Sequence, residues 1–163
     1  MNEEELQRIE DAIGLALPNA FREIMTRFPQ ALIDDATLSD GEGNEFIGDM
    51  MISPNVEAIL AGITHYRSEP GWPKNYIVVG ENGCGEIYSI DVSQEQCPVY
   101  VSSPHNEAGA NSPHEEGYFN ELSKDLKGWV KGLVQRANDR AAGINPIVQT
   151  QCLLDELKKN AQR

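Results

Sequence analysis

Carboxylates apart, the reactive side chains of this chain are few: His65, His105 and His114, and Cys84, Cys97 and Cys152. A metal centre takes three or four ligands held at fixed spacing with support behind them. His105 and His114, with Glu107, Glu115 and Glu116 beside them, offer imidazole and carboxylate, but the rings stand nine positions apart on a loop, not at helical i, i+4 spacing. Asp40-x-Glu42-x-Asn44 opens like a calcium loop, yet Glu45 occupies the sharp-turn glycine position and Met51 the place of the closing bidentate glutamate. Gly80, Gly83 and Gly85 are spaced G-x-x-G-x-G with Glu81 and Glu86 at hand, which would set phosphate against carboxylate. They read instead as a hairpin turn whose glycines supply positive φ. The cysteines form neither Cys-x-x-Cys nor an even framework, and Cys84 beside Glu81 and Glu86 would have its thiolate disfavoured. With no G-x-S-x-G and no His-Glu-x-x-His, the reading is a non-catalytic chain of reduced, structural thiols, without cofactor or metal.

The elements that carry these residues follow from periodicity. Asn2 and Glu5 form a capping box ahead of Leu6, Ile9 and Ile13, which recur at helical spacing until Gly14. Pro18 at a first helical position precedes the stripe Phe21, Ile24, Met25, Phe28, stopped by Pro29. Residues 30–52 read as a long loop with short strands near Ala31–Ile33 and Glu45–Ile52. Ser53-Pro54 supplies a cap and N1 proline for a helix through Val56, Ile59, Leu60, Ile63 and Tyr66, ending near Arg67. Three β-rich runs come next, Tyr76–Val79, Glu86–Ile90 and Val99–Ser102, whose tight connections predict an antiparallel meander. After a loop over Ser103–Gly117, the residues Phe119, Leu122, Leu126, Trp129, Val130 and Leu133 predict one long helix, and Asn145-Pro146 opens a last one to about Asn160. The order does not alternate β with α. The fold class expected is α+β, an antiparallel sheet of a three-strand meander plus one or two short strands, with flanking helices.

The formal charge is −13, and it is unevenly spread. Residues 1–123 hold 22 acids and 5 bases, whereas residues 124–163 hold 4 acids and 8 bases. Such a field repels phosphate backbones and excludes direct nucleic-acid binding by the front of the chain. It attracts basic proteins. No apolar run approaches the roughly 18 residues of a bilayer helix. The acidic, amphipathic start is unlike a secretory leader, so a cytoplasmic protein is expected, with no membrane partner.

Leu17-Pro18 before an aromatic-bearing helix, Trp72-Pro73 ahead of Ile77-Val78-Val79-Gly80, the run Gly83-Cys84-Gly85-Glu86-Ile87-Tyr88-Ser89-Ile90-Asp91, then Pro98-Val99-Tyr100 and a helix from Tyr118 through Trp129 occur in an order that resembles the SUKH superfamily. That superfamily groups a yeast regulator of cell-wall synthesis and killer-toxin resistance with many bacterial immunity proteins. The resemblance covers roughly residues 3–135, leaving 136–163 as a C-terminal helical extension on or beside a domain of 1–135. It implies an α+β fold, no catalytic residues and a protein-binding role, with toxin neutralisation, often of a nuclease, as the bacterial pattern. Pro18, Trp72, Gly85 and Asp91 match the motif as structural residues; Gly85 is a turn glycine and Asp91 a strand-end acid. The expected partner is a basic toxin domain. The expected surface combines Asp34, Asp35, Asp40, Glu42, Glu45 and Asp49 with Glu81, Glu86 and Glu107. The alternative is a regulatory scaffold that binds through an apolar groove or the basic C-terminal helix.

Overall fold

A computed structural model describes residues 1–36, 51–81, 85–102, 112–115 and 117–144. Helix α1 (Glu3–Ile13) starts where the sequence places it: Asn2 Oδ1 accepts from Glu5 N at 2.9 Å, Asn2 N donates to Glu5 Oε2 at 2.7 Å, and Gly14 ends the helix at φ 70°. Helix α2 (Asn19–Thr26) begins one residue after Pro18, which stands at the N-cap and not at N1. Proline has no side-chain oxygen to cap with, so the orphan Asn19 N–H is met by Glu95 Oε1 at 3.1 Å, from the far side of the sequence.

The strand expected at Ala31–Ile33 is a helix, α3 (Gln30–Ala36). Pro29 opens it, its carbonyl taking Leu32 N at 3.1 Å, and Gln30 Nε2 donates to Asp34 Oδ1 at 2.8 Å across one turn. Of the strand expected at Glu45–Ile52, only Met51 and Ile52 lie within the described residues, and they form a bend. Helix α4 (Val56–Tyr66) is capped by Asn55, not Ser53: Asn55 Oδ1 accepts from Glu57 N and Ala58 N.

Strands β1 (Tyr76–Glu81), β2 (Ile87–Asp91) and β3 (Val99–Ser102) form the antiparallel meander. A fourth strand, β4 (Asn120–Ser123), completes the order β1-β2-β3-β4. The one long helix expected from Phe119 is thus a strand followed by α5 (Leu126–Ala141), which Asp125 caps through Gly128 N. Phe119, Leu122 and Leu126 mimic helical spacing, but the free edge of β3 takes Asn120–Ser123 as its partner and leaves Leu122 exposed. The last predicted helix, from Asn145, and most of the loop 103–117 lie outside the described residues.

The pleat gives the sheet two unlike faces. Ile77, Val79, Tyr88, Ile90 and Val99 point to a core shared with Leu6 and Ile9 of α1, Phe21 and Met25 of α2, Ile59 and Ile63 of α4, and Leu126 and Val130 of α5. Alternation sends Tyr76, Val78, Ser89 and Tyr100 to the other face. The β1 edge is closed by the chain before α4, where Ser53 N donates to the Val79 carbonyl at 2.8 Å, and by α4 itself, whose Gly62 backs onto Val78.

Candidate functional site

Five ion pairs join described residues, and every one links helix to helix. Arg22 of α2 bonds Glu3 and Glu10 of α1 at 2.8 and 2.6 Å. Arg8 meets Glu57, Lys127 meets Glu23, and Arg140 of α5 forks onto Asp35 of α3, its Nε 2.8 Å from Oδ1. Glu10 also accepts from Leu17 N at 2.7 Å, and that bond together with Arg22 holds its pKa below the usual glutamate value against the opposing effect of burial.

The sheet's outer face is built differently. Aromatic rings run across it in continuous contact: Tyr66 stacks on Trp72 at 4.7 Å, Trp72 and Tyr76 each meet Phe119 edge-on at 5.1 Å, and Tyr76 stacks on Tyr100 at 4.9 Å. Trp72 is buried and donates its Nε1 to the Tyr76 carbonyl at 3.3 Å, fixing the start of β1. The other rings of this belt are half-buried. Burial, and then the neighbouring Tyr100, push the Tyr76 hydroxyl pKa well up; burial and then Glu81 raise that of Tyr66. Glu69, Glu81 and Glu121 stand exposed around the belt and make no ion pair with a described residue.

Between α4 and β1 lies an open groove of about 560 Å³. Its helical wall is Ala58, Ala61, Gly62, His65 and Tyr66; its strand wall is Val78, Gly80 and Glu81. Ile59 and Val79 floor it, and Ser53 and Asn55 close one end. The groove exists because α4 turns its bulky Val56, Ile59 and Ile63 to the core and leaves alanine and glycine on the flank beside β1.

Among the acids expected to form a binding surface, Glu81 lies on this groove. Asp34 is exposed on α3, and Asp35 is held by Arg140. Glu86, half-buried, accepts from the Tyr88 hydroxyl at 2.9 Å. Asp40, Glu42, Glu45, Asp49 and Glu107 lie outside the described residues. So does His105, while His114 is exposed, its ring directly against Gly71. No group of three or more His, Cys, Asp or Glu that could hold a metal occurs among the described residues.

Asp91 closes β2 as a saturated acceptor. It takes Ser93 N at 2.9 Å, Ser93 Oγ at 2.6 Å, Gln94 Nε2 at 2.6 Å and Asn75 Nδ2 at 2.5 Å. Burial alone would raise its pKa, but the combined donors outweigh it and hold the carboxyl below the ordinary aspartate value. Gly85 has φ 84°, a conformation that favours glycine. Cys97, fully buried with φ 50°, has its thiol pushed by burial up to about 12, while Cys84 and Cys152 lie outside the described residues.

Apart from Glu81, no groove residue is marked as a binding site by the sequence alone. Tyr66 continues the apolar stripe of α4 and reads there as core; the one available signal was the run of small residues Ala58, Ala61 and Gly62 on the opposite flank. Among the described residues no helix is long and apolar enough to cross a membrane. A family model described as SMI1 / KNR4 family (SUKH-1) matches residues 1–132, from the cap of α1 into α5. No curated protein and no solved structure matches the chain.

Proposed function

The chain belongs to the SMI1 / KNR4 family (SUKH-1), and from that premise we propose that it is a non-catalytic binding module that neutralises a cognate toxin by docking against a basic domain. The observation that carries the reading is the partition of charge: bases meet acids between the helices, while Glu69, Glu81 and Glu121 around an aromatic face make no ion pair with a described residue. Carboxylates so placed stand in for nucleic-acid phosphates opposite Lys and Arg of a nuclease. The half-buried rings supply the anchor contacts that dominate binding energy. That the acids Asp34, Asp40, Glu42, Glu45, Asp49, Glu86 and Glu107 also contact the partner is part of the same proposal. Asp35 contributes by tying α3 to α5 through Arg140.

The test is recovery of the partner from the native host, followed by its association rate at rising ionic strength. A rate that falls steeply with salt supports the reading; one indifferent to salt counts against it. The apolar groove favours a second reading, a regulatory scaffold whose acidity serves solubility, and such a scaffold would bind its partner without salt dependence.

A further inference from the structure

We propose that the groove between α4 and β1 is a docking slot for an extended segment of a protein partner, which lays an arginine or lysine side chain over Tyr66 and against Glu81. The inference rests on the acidic-surface reading above and names where that surface grips. From Ala58 to His65 the helical wall spans about 10 Å at the rise of about 1.5 Å per residue. That matches about three residues of extended chain at about 3.3 Å each. The small side chains of Ala58 and Ala61 leave room for a long side chain along the helical wall, while Gly62 lets α4 approach Val78 closely.

Two features at one end of the slot select a cation. Tyr66 is held between Trp72, stacked at 4.7 Å, and His65, edge-on at 4.7 Å, and an exposed part of an aromatic ring attracts guanidinium or ammonium. Glu81 is exposed, forms no ion pair with a described residue, and stands close enough for its charge to act on the Tyr66 hydroxyl. Glu69 adds to the same field. The adjacent Arg67 forms no ion pair with these acids among the described residues; its guanidinium donates to the carbonyls of Ala12, Ile13 and Lys74, at 2.9, 2.7 and 2.5 Å. Arginine fits best, since its planar group stacks on the ring while its N–H groups reach the carboxylate.

The probes are the blocked peptide Ser-Arg-Val-Arg-Ser and its counterpart with glutamine at both arginine positions, titrated into the labelled full chain while backbone amide shifts are recorded. The expected result is that the arginine peptide shifts Ala61, Gly62, Tyr66, Val78 and Glu81. It binds about fivefold or more tighter than the glutamine peptide, and loses that advantage in Glu81→Gln. Ala61→Trp, an exposed position whose new side chain fills the slot, abolishes the shifts while the rest of the spectrum stays dispersed. Arginine-peptide shifts at other acids, unchanged by Ala61→Trp, overturn the slot and leave the acidic-surface reading standing. Equal binding of both peptides in the groove overturns the choice of a cation and that reading with it. Absence of any shift overturns the slot, while salt dependence of the native partner's association still judges the wider reading.

Discussion

The contacts between helices and the outer face of the sheet handle charge in opposite ways. Between helices, carboxylates meet bases: Glu3 and Glu10 meet Arg22, Glu23 meets Lys127, Asp35 meets Arg140 and Glu57 meets Arg8. Around the belt from Tyr66 to Tyr100, Glu69, Glu81 and Glu121 have no such partner among the described residues. An exposed ion pair holds little free energy and a weak external field, whereas unpaired acids beside half-buried rings keep their field for another molecule. The contrast teaches that net charge by itself says little about function; the acids left unneutralised say more.

If that division is right, damage to the helical side is read in stability and damage to the outer face in binding. The largest effect belongs to the shared core. Phe21 is fully buried, and Phe21→Ala should cost about 3–5 kcal/mol in chemical denaturation, with peptide affinity of the folded fraction unchanged.

Next comes Asp91, where the sheet turns towards Cys97. Asp91→Ala strands donors from Ser93, Gln94 and Asn75 and should cost about 1–3 kcal/mol at neutral pH. The folded-state pKa of Asp91 lies below its unfolded value. Its contribution is therefore present above about pH 4 and lost as pH falls through the folded value. Denaturation midpoints across the acid range should accordingly fall more steeply for the wild type than for Asp91→Asn.

Tyr66→Leu sharpens the other side of the contrast: the arginine peptide should bind about threefold to tenfold more weakly, while peptides lacking a cation bind as before. Equal loss for both peptides would mean that Tyr66 acts by shape alone. The smallest effect is expected at Ser89, fully buried with an Oγ that has no hydrogen-bond partner among the described residues. Removing that hydroxyl in Ser89→Ala should leave stability within about 1 kcal/mol of wild type or raise it, since no hydrogen bond is lost.

What could be read directly from the chain was local. The capping box of α1, the stop at Gly14 and the β-rich runs of β1 to β3 each declare themselves within a few residues. What could not be read depends on distant partners. Gln30–Ala36 is helical with Asp35 anchored by Arg140, 105 positions away, and no pattern inside α3 encodes that contact. Asn120–Ser123 contains no β-branched residue and becomes a strand because β3 needs an edge partner. The caps at Pro18 and Ser53-Pro54 shifted by one and two places, because Glu95 and Asn55 do the capping. The groove stayed hidden for a related reason: it is defined by what is missing from one flank of α4, and a hydrophobic stripe marks only the flank that is full.

The most direct test compares two variants of equal charge. One is Glu69→Gln/Glu81→Gln/Glu121→Gln; the other is Glu3→Gln/Glu23→Gln/Glu57→Gln on the helical side. Affinity for the arginine peptide is measured for each across a salt series. The account predicts that the first variant loses most of the affinity and most of its salt dependence, while the second keeps both. Equal losses in the two would show that only total charge matters, and would contradict it.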